Sequence, residues 1–183
     1  MDGEEIFASG KLFELVHRQV GDKVFEVARR APGVRLIIVD RVKGQILLTR
    51  EHRYELAGWD YRLPGGKVFD TLPEYEDFRT NGEEITEAAA SKGKAEGREE
   101  AGVIIDDLKL FDKSTLGATV EWDLYVFEVT DWHFAPDGQQ LEDGENIDAH
   151  WFTYQEACDL IMTGRMSEGR IALILLRWLQ QVK

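Results

Sequence analysis

The chain has 183 residues, the size of one domain with a small appendage, and is long enough to bury a core without cross-links. Its 22 Lys+Arg against 35 Asp+Glu give a net charge of −13, which repels phosphate backbones and excludes general nucleic-acid binding. A composition of 43% hydrophobic and 31% charged residues excludes disorder, and no apolar run approaches the roughly 20 residues of a membrane span.

The elements follow in chain order. The opening MDGEEIFASG is acidic where a secretion signal is basic, and Cys158 is the single cysteine. Both fit a cytoplasmic protein. Residues 11–16 and 24–29 read as a strand pair around Gly21-Asp22. Residues 34–40 (VRLIIVD) are nearly all apolar, like a strand covered on both faces, and 45–50 pair with them across Lys43-Gly44. Residues 54–68 read as a loop ending in Leu63-Pro64-Gly65-Gly66-Lys67. In 69–81, Phe69, Leu72, Tyr75 and Phe78 recur every three residues and predict a short helix with one apolar face. A long helix is expected over 83–101, rich in Ala, Glu and Lys and stopped by Gly102. Strands are expected near 104–112, 118–130 and 148–153, with a polar loop at 135–146. Helices over 154–163 and 168–182 close the chain, the second carrying an apolar stripe through Ile171, Ile174, Leu175, Trp178, Leu179 and Val182. Strands interleaved with helices imply α/β or α+β layering.

The chemistry concentrates in Ala95-Glu96-Gly97-Arg98-Glu99-Glu100-Ala101-Gly102-Val103. On a helix Glu96 lies three and four positions from Glu99 and Glu100, so all three carboxylates leave one side. Like charges so close repel unless a cation sits among them, and hard oxygen donors suit Mg²⁺ or Mn²⁺. When it stands alone, such a run is better explained as a solvated acidic face. Here it does not stand alone: a Pro-Gly-Gly-Lys turn precedes the helix and a Gly-Val stop leads into a strand.

On these residues the chain resembles the Nudix hydrolases, whose box reads G-x5-E-x7-R-E-U-x-E-E-x-G-U with U a bulky aliphatic residue. Glu96, Glu99, Glu100, Gly102 and Val103 match its second half. Glu87 matches the first glutamate, and Gly66 within Leu-Pro-Gly-Gly-Lys the opening glycine. Three departures stand out. Gly66 and Glu87 are 87 − 66 = 21 positions apart instead of six, an insertion whose last part, 83–86, reads as one more helical turn. Ala95 replaces the box arginine, which in the family holds a catalytic carboxylate, with Arg98 or Lys92 as the substitute. Gly97 replaces an aliphatic residue, which implies a tight contact beneath the helix.

The likeness extends to the ADP-ribose pyrophosphatase and nucleoside-diphosphate-sugar hydrolase branch, through Phe25 to Val34, Leu48 to Tyr54 and Glu145 to Ala157. Where that branch has a Pro-Gly and an acid after the box, this chain has Leu116-Gly117-Ala118-Thr119-Val120-Glu121, with no proline.

The resemblance implies a Nudix fold with a mixed sheet between helices. It divides the chain into an N-terminal strand pair at 1–33, serving as a dimerisation arm, and a hydrolase domain at 34–183 with an insertion at 69–83. It implies Mg²⁺ (or Mn²⁺) held by Glu96, Glu99, Glu100 and the Gly65 carbonyl. The catalytic set is Glu99 and Glu100 with a base from the box or from Glu142 or Glu145. Arg53, Arg50 and Arg62 are candidate phosphate contacts beside Gly66. The implied reaction is hydrolysis of the pyrophosphate bond of ADP-ribose or a nucleoside-diphosphate sugar by a homodimer. The partner is a small nucleotide, not a nucleic acid or a membrane. Ala95 and Gly97 also motivate a second reading, a nucleotide-sensing module without catalysis. The three retained carboxylates argue for the enzyme, since a binding-only module would be more stable without them. A small-diphosphate isomerase on the same fold is the weaker third reading, because Cys158 is badly placed as a nucleophile.

Overall fold

The computed structural model describes residues 3–182; residues 1, 2 and 183 of the ranges above lie outside them. Ten strands and four helices run in the order β1 (Glu4–Ser9), β2 (Phe13–Val20), β3 (Lys23–Arg30), β4 (Gly33–Asp40), β5 (Gln45–Arg53), β6 (Gly58–Arg62), α1 (Leu72–Thr80), α2 (Ile85–Ala101), β7 (Val103–Ser114), β8 (Val120–Glu121), β9 (Leu124–Phe134), β10 (Ile147–Thr153), α3 (Tyr154–Met162) and α4 (Gly169–Gln181).

The central sheet has the order β10-β5-β4-β9-β7, with β6 also paired to β5. β4 and β9 run parallel and the other neighbours antiparallel, so the sheet is mixed. Alternation along β4 builds two cores. Val34, Leu36 and Ile38 pack toward α2 with Ala89, Val103 and Ile105. Ile37 and Val39 pack the other way, with Leu48, Leu175 and Trp178 of the α3–α4 layer. Both faces of β4 are therefore dry, which is why VRLIIVD lacks the polar alternation of a half-exposed strand. Each of these fully buried side chains contributes about 1.5–3 kcal/mol.

Local signals set the helix ends. Thr71 caps α1 by accepting the Glu74 N–H, and a proline sits in its first turn. Gly102 ends α2 in the left-handed region, where glycine carries no Cβ penalty. Thr153 and Glu156 form a reciprocal capping box at α3.

Four differences from the sequence reading matter. The N-terminal pair is part of a four-stranded sheet, β1-β2-β3-β8. Its first strand, EEIFAS, is exposed along its whole length, so no apolar alternation marked it. Residues 58–62 are a strand, not loop, because β6 pairs with β5 while Tyr61 enters the core. The 118–130 strand is split: the two-residue β8 joins β3, then Leu124 starts β9 in the other sheet. At the start of α2, Glu83 and Glu84 precede the helix, so the extra turn is only partly formed. In the insertion, Phe69 stacks against Tyr75 and Phe78 of α1, with ring centres 5.3 and 5.0 Å apart. The apolar face read from the sequence thus fixes the insertion to the α2-side core.

Candidate active site

The Pro-Gly-Gly turn lies along β4, with the Leu36 N–H donating to the Pro64 carbonyl (2.9 Å) and the Val34 N–H to that of Gly66 (3.0 Å). This places the turn beneath the C-terminal half of α2. Gly65 has φ 134°, and a Cβ there would fall on the Val34 carbonyl. A Cβ on Gly66 would fall on the Glu96 carboxylate. Both glycines are therefore required by close approach. The Gly65 N–H donates to Glu100 Oε2 at 2.7 Å.

A cavity of about 540 Å³ opens over this turn. Glu96, Glu99 and Glu100 line it from α2, Gly65 and Gly66 from the turn, Glu142 and Glu145 from the late loop, and Arg53 and Arg62 from β5 and β6. Residues spread over ninety positions of sequence thus meet in one space. Arg50 does not line it. Its guanidinium pairs with Asp148 at 2.6 Å and lies 4.3 Å from the Trp59 ring. Arg53 and Arg62 reach the cavity already paired, Arg53 with Glu51 (2.8 Å) and Arg62 with Asp60 (2.5 Å).

The carboxylates feel their burial. Burial pushes Glu100 up to about 7, against the pull of the Gly65 N–H and the Arg35 charge. Burial raises Glu96 as well, opposed by Lys92, whose ammonium lies 3.3 Å from it. Lys92 is thus the cation beside the carboxylate cluster. Arg98 turns away, donating to Asp137 and to the Gly138 carbonyl and so tying α2 to the late loop. Gly97 has the tight contact its position implied: a Cβ there would come within 2.6 Å of Ile105 Cδ1, so Ile105 fills the space an aliphatic residue would take.

The donor set fits a hard divalent cation in chemical type: oxygen ligands on one wall, with two carboxylates kept from easy ionisation by burial. Among the described residues, however, no three acidic, His or Cys side chains are drawn into one coordination shell. Glu96 is held by Lys92 and Glu100 Oε2 by the Gly65 N–H; these two carboxylates with Glu99 are the side chains that would hold such a cation. In the late loop, Glu145 accepts the Glu142 N–H at 3.0 Å, which orients its carboxylate.

Among the cavity residues that sequence reasoning missed are Arg35, Arg30 and Trp122. Arg35 left a signal, being the one charge inside the apolar body of β4. Trp122 left none beyond being an indole between two strands. The histidines make no cluster; His133, for one, pairs with Asp106 at 2.9 Å on the surface.

Comparison with known proteins agrees with this geometry. A GDP-mannose pyrophosphatase of Enterobacter sp. (strain 638) is 31% identical over 158 residues, covering 85% of this chain and 76% of that protein. A crystal structure of an ADP compounds hydrolase superposes with a TM-score of 0.67 at 21% identity, covering 98% of this chain and 92% of the other. The NUDIX domain profile matches residues 29–172, from the end of β3 into α4. With the box carboxylates, the glycine turn and the mixed sheet all in place, the chain belongs to the NUDIX family of pyrophosphohydrolases.

Proposed function

We propose that the protein hydrolyses the pyrophosphate bond of a nucleoside diphosphate joined to a sugar, ADP-ribose or an NDP-sugar, with Mg²⁺ as its metal. The observation that carries this reading is the convergence of Glu96, Glu99 and Glu100 with the Gly65-Gly66 turn on one cavity. The GDP-mannose activity in the name of the similar enterobacterial protein supports the substrate class. Glu96, Glu99, Glu100 and the Gly65 carbonyl are the groups to hold the cation, which would neutralise the diphosphate and activate a water. Glu145, fixed by the Glu142 N–H, is the better placed of the two loop acids to take that water's proton. Lys92, beside Glu96, takes over the charge-balancing work that Ala95 cannot do.

A second copy of the chain fits the N-terminal sheet, and residues 1–33 then act as an arm beside the 34–183 domain. Ile6, Phe7, Phe13, Leu15 and Val24 are exposed on β1, β2 and β3, more apolar surface than a lone sheet leaves to water. Sedimentation at micromolar concentration should give twice the chain mass; a mass near 20.9 kDa would remove the dimer.

The test of function is phosphate release, coupled to a phosphatase, from ADP-ribose, NDP-sugars, dinucleotides and NTPs with Mg²⁺. One preferred class should stand out. Silence on every substrate, with nucleotide still bound, would favour the sensing module.

A further inference from the structure

The arginines on the cavity wall fall into two groups. Arg53 and Arg62 are neutralised by their own carboxylates. Arg30 and Arg35 have no carboxylate within ion-pair distance among the described residues, in a chain whose net charge is −13. Arg35 is withdrawn from water and Arg30 about half so, and burial lowers the pKa of each guanidinium. Arg30 also shares its surroundings with a second cation. Arg30 and Arg170 each place Cζ 4.4 Å from the centre of the Trp122 ring. Arg170 is 7% exposed, pairs with Glu168 at 3.3 Å and donates to the Trp122 carbonyl (2.7 Å). Glu168 answers the charge of Arg170, which leaves Arg30 as the guanidinium on this indole without an ion-pair partner among the described residues.

Unpartnered donors mark the same wall. Arg35 Nε, Trp122 Nε1 and Arg170 Nη2 are buried and bond to nothing among the described residues; on the cavity wall Arg53 Nε shares that state, although its Nη atoms are held by Glu51 and Glu55. All three can only donate. Buried donors without acceptors are costly, and native proteins keep few of them. The carboxylates of α2 line the same cavity, and the charge of Arg35 is felt by Glu100 and Glu96.

We propose that Arg30, Arg35 and the Trp122 indole N–H form the phosphoryl-binding wall of the cavity, in place of the paired Arg53 and Arg62. The assignment rests on the reading of the cavity as a diphosphate site. It gives the site two poles: acids on α2 that need a cation, and donors on β3, β4 and the β8–β9 link that need an anion. A phosphoryl group fills the second pole, because its oxygens accept from a guanidinium fork and an indole at once.

The test uses inorganic phosphate and inorganic diphosphate with the full chain, in chelator, so that no metal or hydrolysis enters. Binding is followed by calorimetry and by the five indole N–H signals of a ¹⁵N-labelled sample, one of which disappears in Trp122→Phe and is thereby assigned. The Trp122 signal should move on titration. Arg30→Met and Arg35→Met should each weaken binding by about 10-fold or more, and Trp122→Phe by about 3- to 10-fold. Arg177→Met, which removes an equal charge where Arg177 pairs with Asp112, should change it less than about two-fold. If Arg35→Met fails to fold, Arg35→Lys decides, since it keeps the charge and loses the fork. No phosphate binding, unchanged binding in the Arg30 and Arg35 variants, or an equal loss in Arg177→Met would overturn the proposal. Silence on the substrate panel with this pattern intact would sink the hydrolytic reading and leave the wall standing. Turnover that ignores Arg30 and Arg35 would do the reverse.

Discussion

The Gly65 N–H donates to Glu100 Oε2 at 2.7 Å, joining two residues 35 positions apart and locking the glycine turn against the carboxylate helix. The bond supplies one of the few partners that a buried carboxylate at this depth has. It also explains why the turn and the helix must be read as one device.

The first prediction concerns Glu100. Glu100→Gln can still accept the Gly65 N–H through its amide oxygen, so melting and circular dichroism should match the parent. It cannot serve as an anionic metal ligand. Turnover should fall by about 10²–10⁴-fold, with weaker Mg²⁺ dependence. Near-normal turnover in a folded variant would show that Glu100 is not part of the metal site.

Gly97 offers a packing test. Gly97→Val, which restores the aliphatic residue of the family box, should destabilise by about 1–3 kcal/mol because Ile105 occupies the space. Gly97→Val combined with Ile105→Ala should recover part of that loss, a coupling visible in a double-mutant cycle of denaturant midpoints. Additive losses would mean that Ile105 is not the obstacle.

Acid should loosen the N-terminal sheet first. Arg29 and Arg18 hold Glu4 below its ordinary value of 4.5. Burial works against Glu121, but the same two arginines overcome it and lower that group too. Depressed native values mean that this stability is present above pH 4.5 and is lost as pH falls through the native values. Amide protection in β1 and β2, taken relative to the intrinsic exchange rate at each pH, should therefore fall below pH 4.5 while the α2-side core stays protected. Glu121→Gln should flatten that pH response. Uniform exchange across both sheets would contradict it.

The insertion should govern selectivity. Tyr75 and Arg79 of α1, with Arg30, Thr115 and Asp123, line a second cavity of about 310 Å³ that shares Arg30 with the first. Tyr75→Ala and Arg79→Ala should change the ratio of kcat/KM among nucleoside diphosphate substrates by about ten-fold, with kcat on the best one nearly kept. Deleting the helix is the poorer experiment, since Phe69, Tyr75 and Phe78 cover core. Identical ratios in both variants would leave α1 a purely structural element.

Much of the molecule was legible because its signals were local. The end of α2 at Gly102, the carboxylate trio and the dry strand of β4 each follow from spacing within about a dozen residues. The Arg53–Glu51 and Arg62–Asp60 pairs were not, because a guanidinium looks the same in sequence whether or not a carboxylate neutralises it. Arg50 was misplaced for a related reason: along β5 successive side chains alternate faces, and only pairing with β10 set Asp148 opposite Arg50. The wall of Arg30, Arg35 and Trp122 depends on β3, β4 and the β8–β9 link meeting in space. No local period records such a meeting.

Strand β8 is two residues long, and it is the seam between the two sheets. Glu121 is gripped by Arg18 and Arg29 of the N-terminal sheet, and the very next residue, Trp122, stands in the cavity wall. A single peptide bond therefore separates the ion-pair network of the N-terminal sheet from the place where substrate is expected. Trimming the first thirty residues to obtain a tidier catalytic fragment would leave Trp122 unsupported, so the arm belongs in any shortened version meant to retain the parent's selectivity.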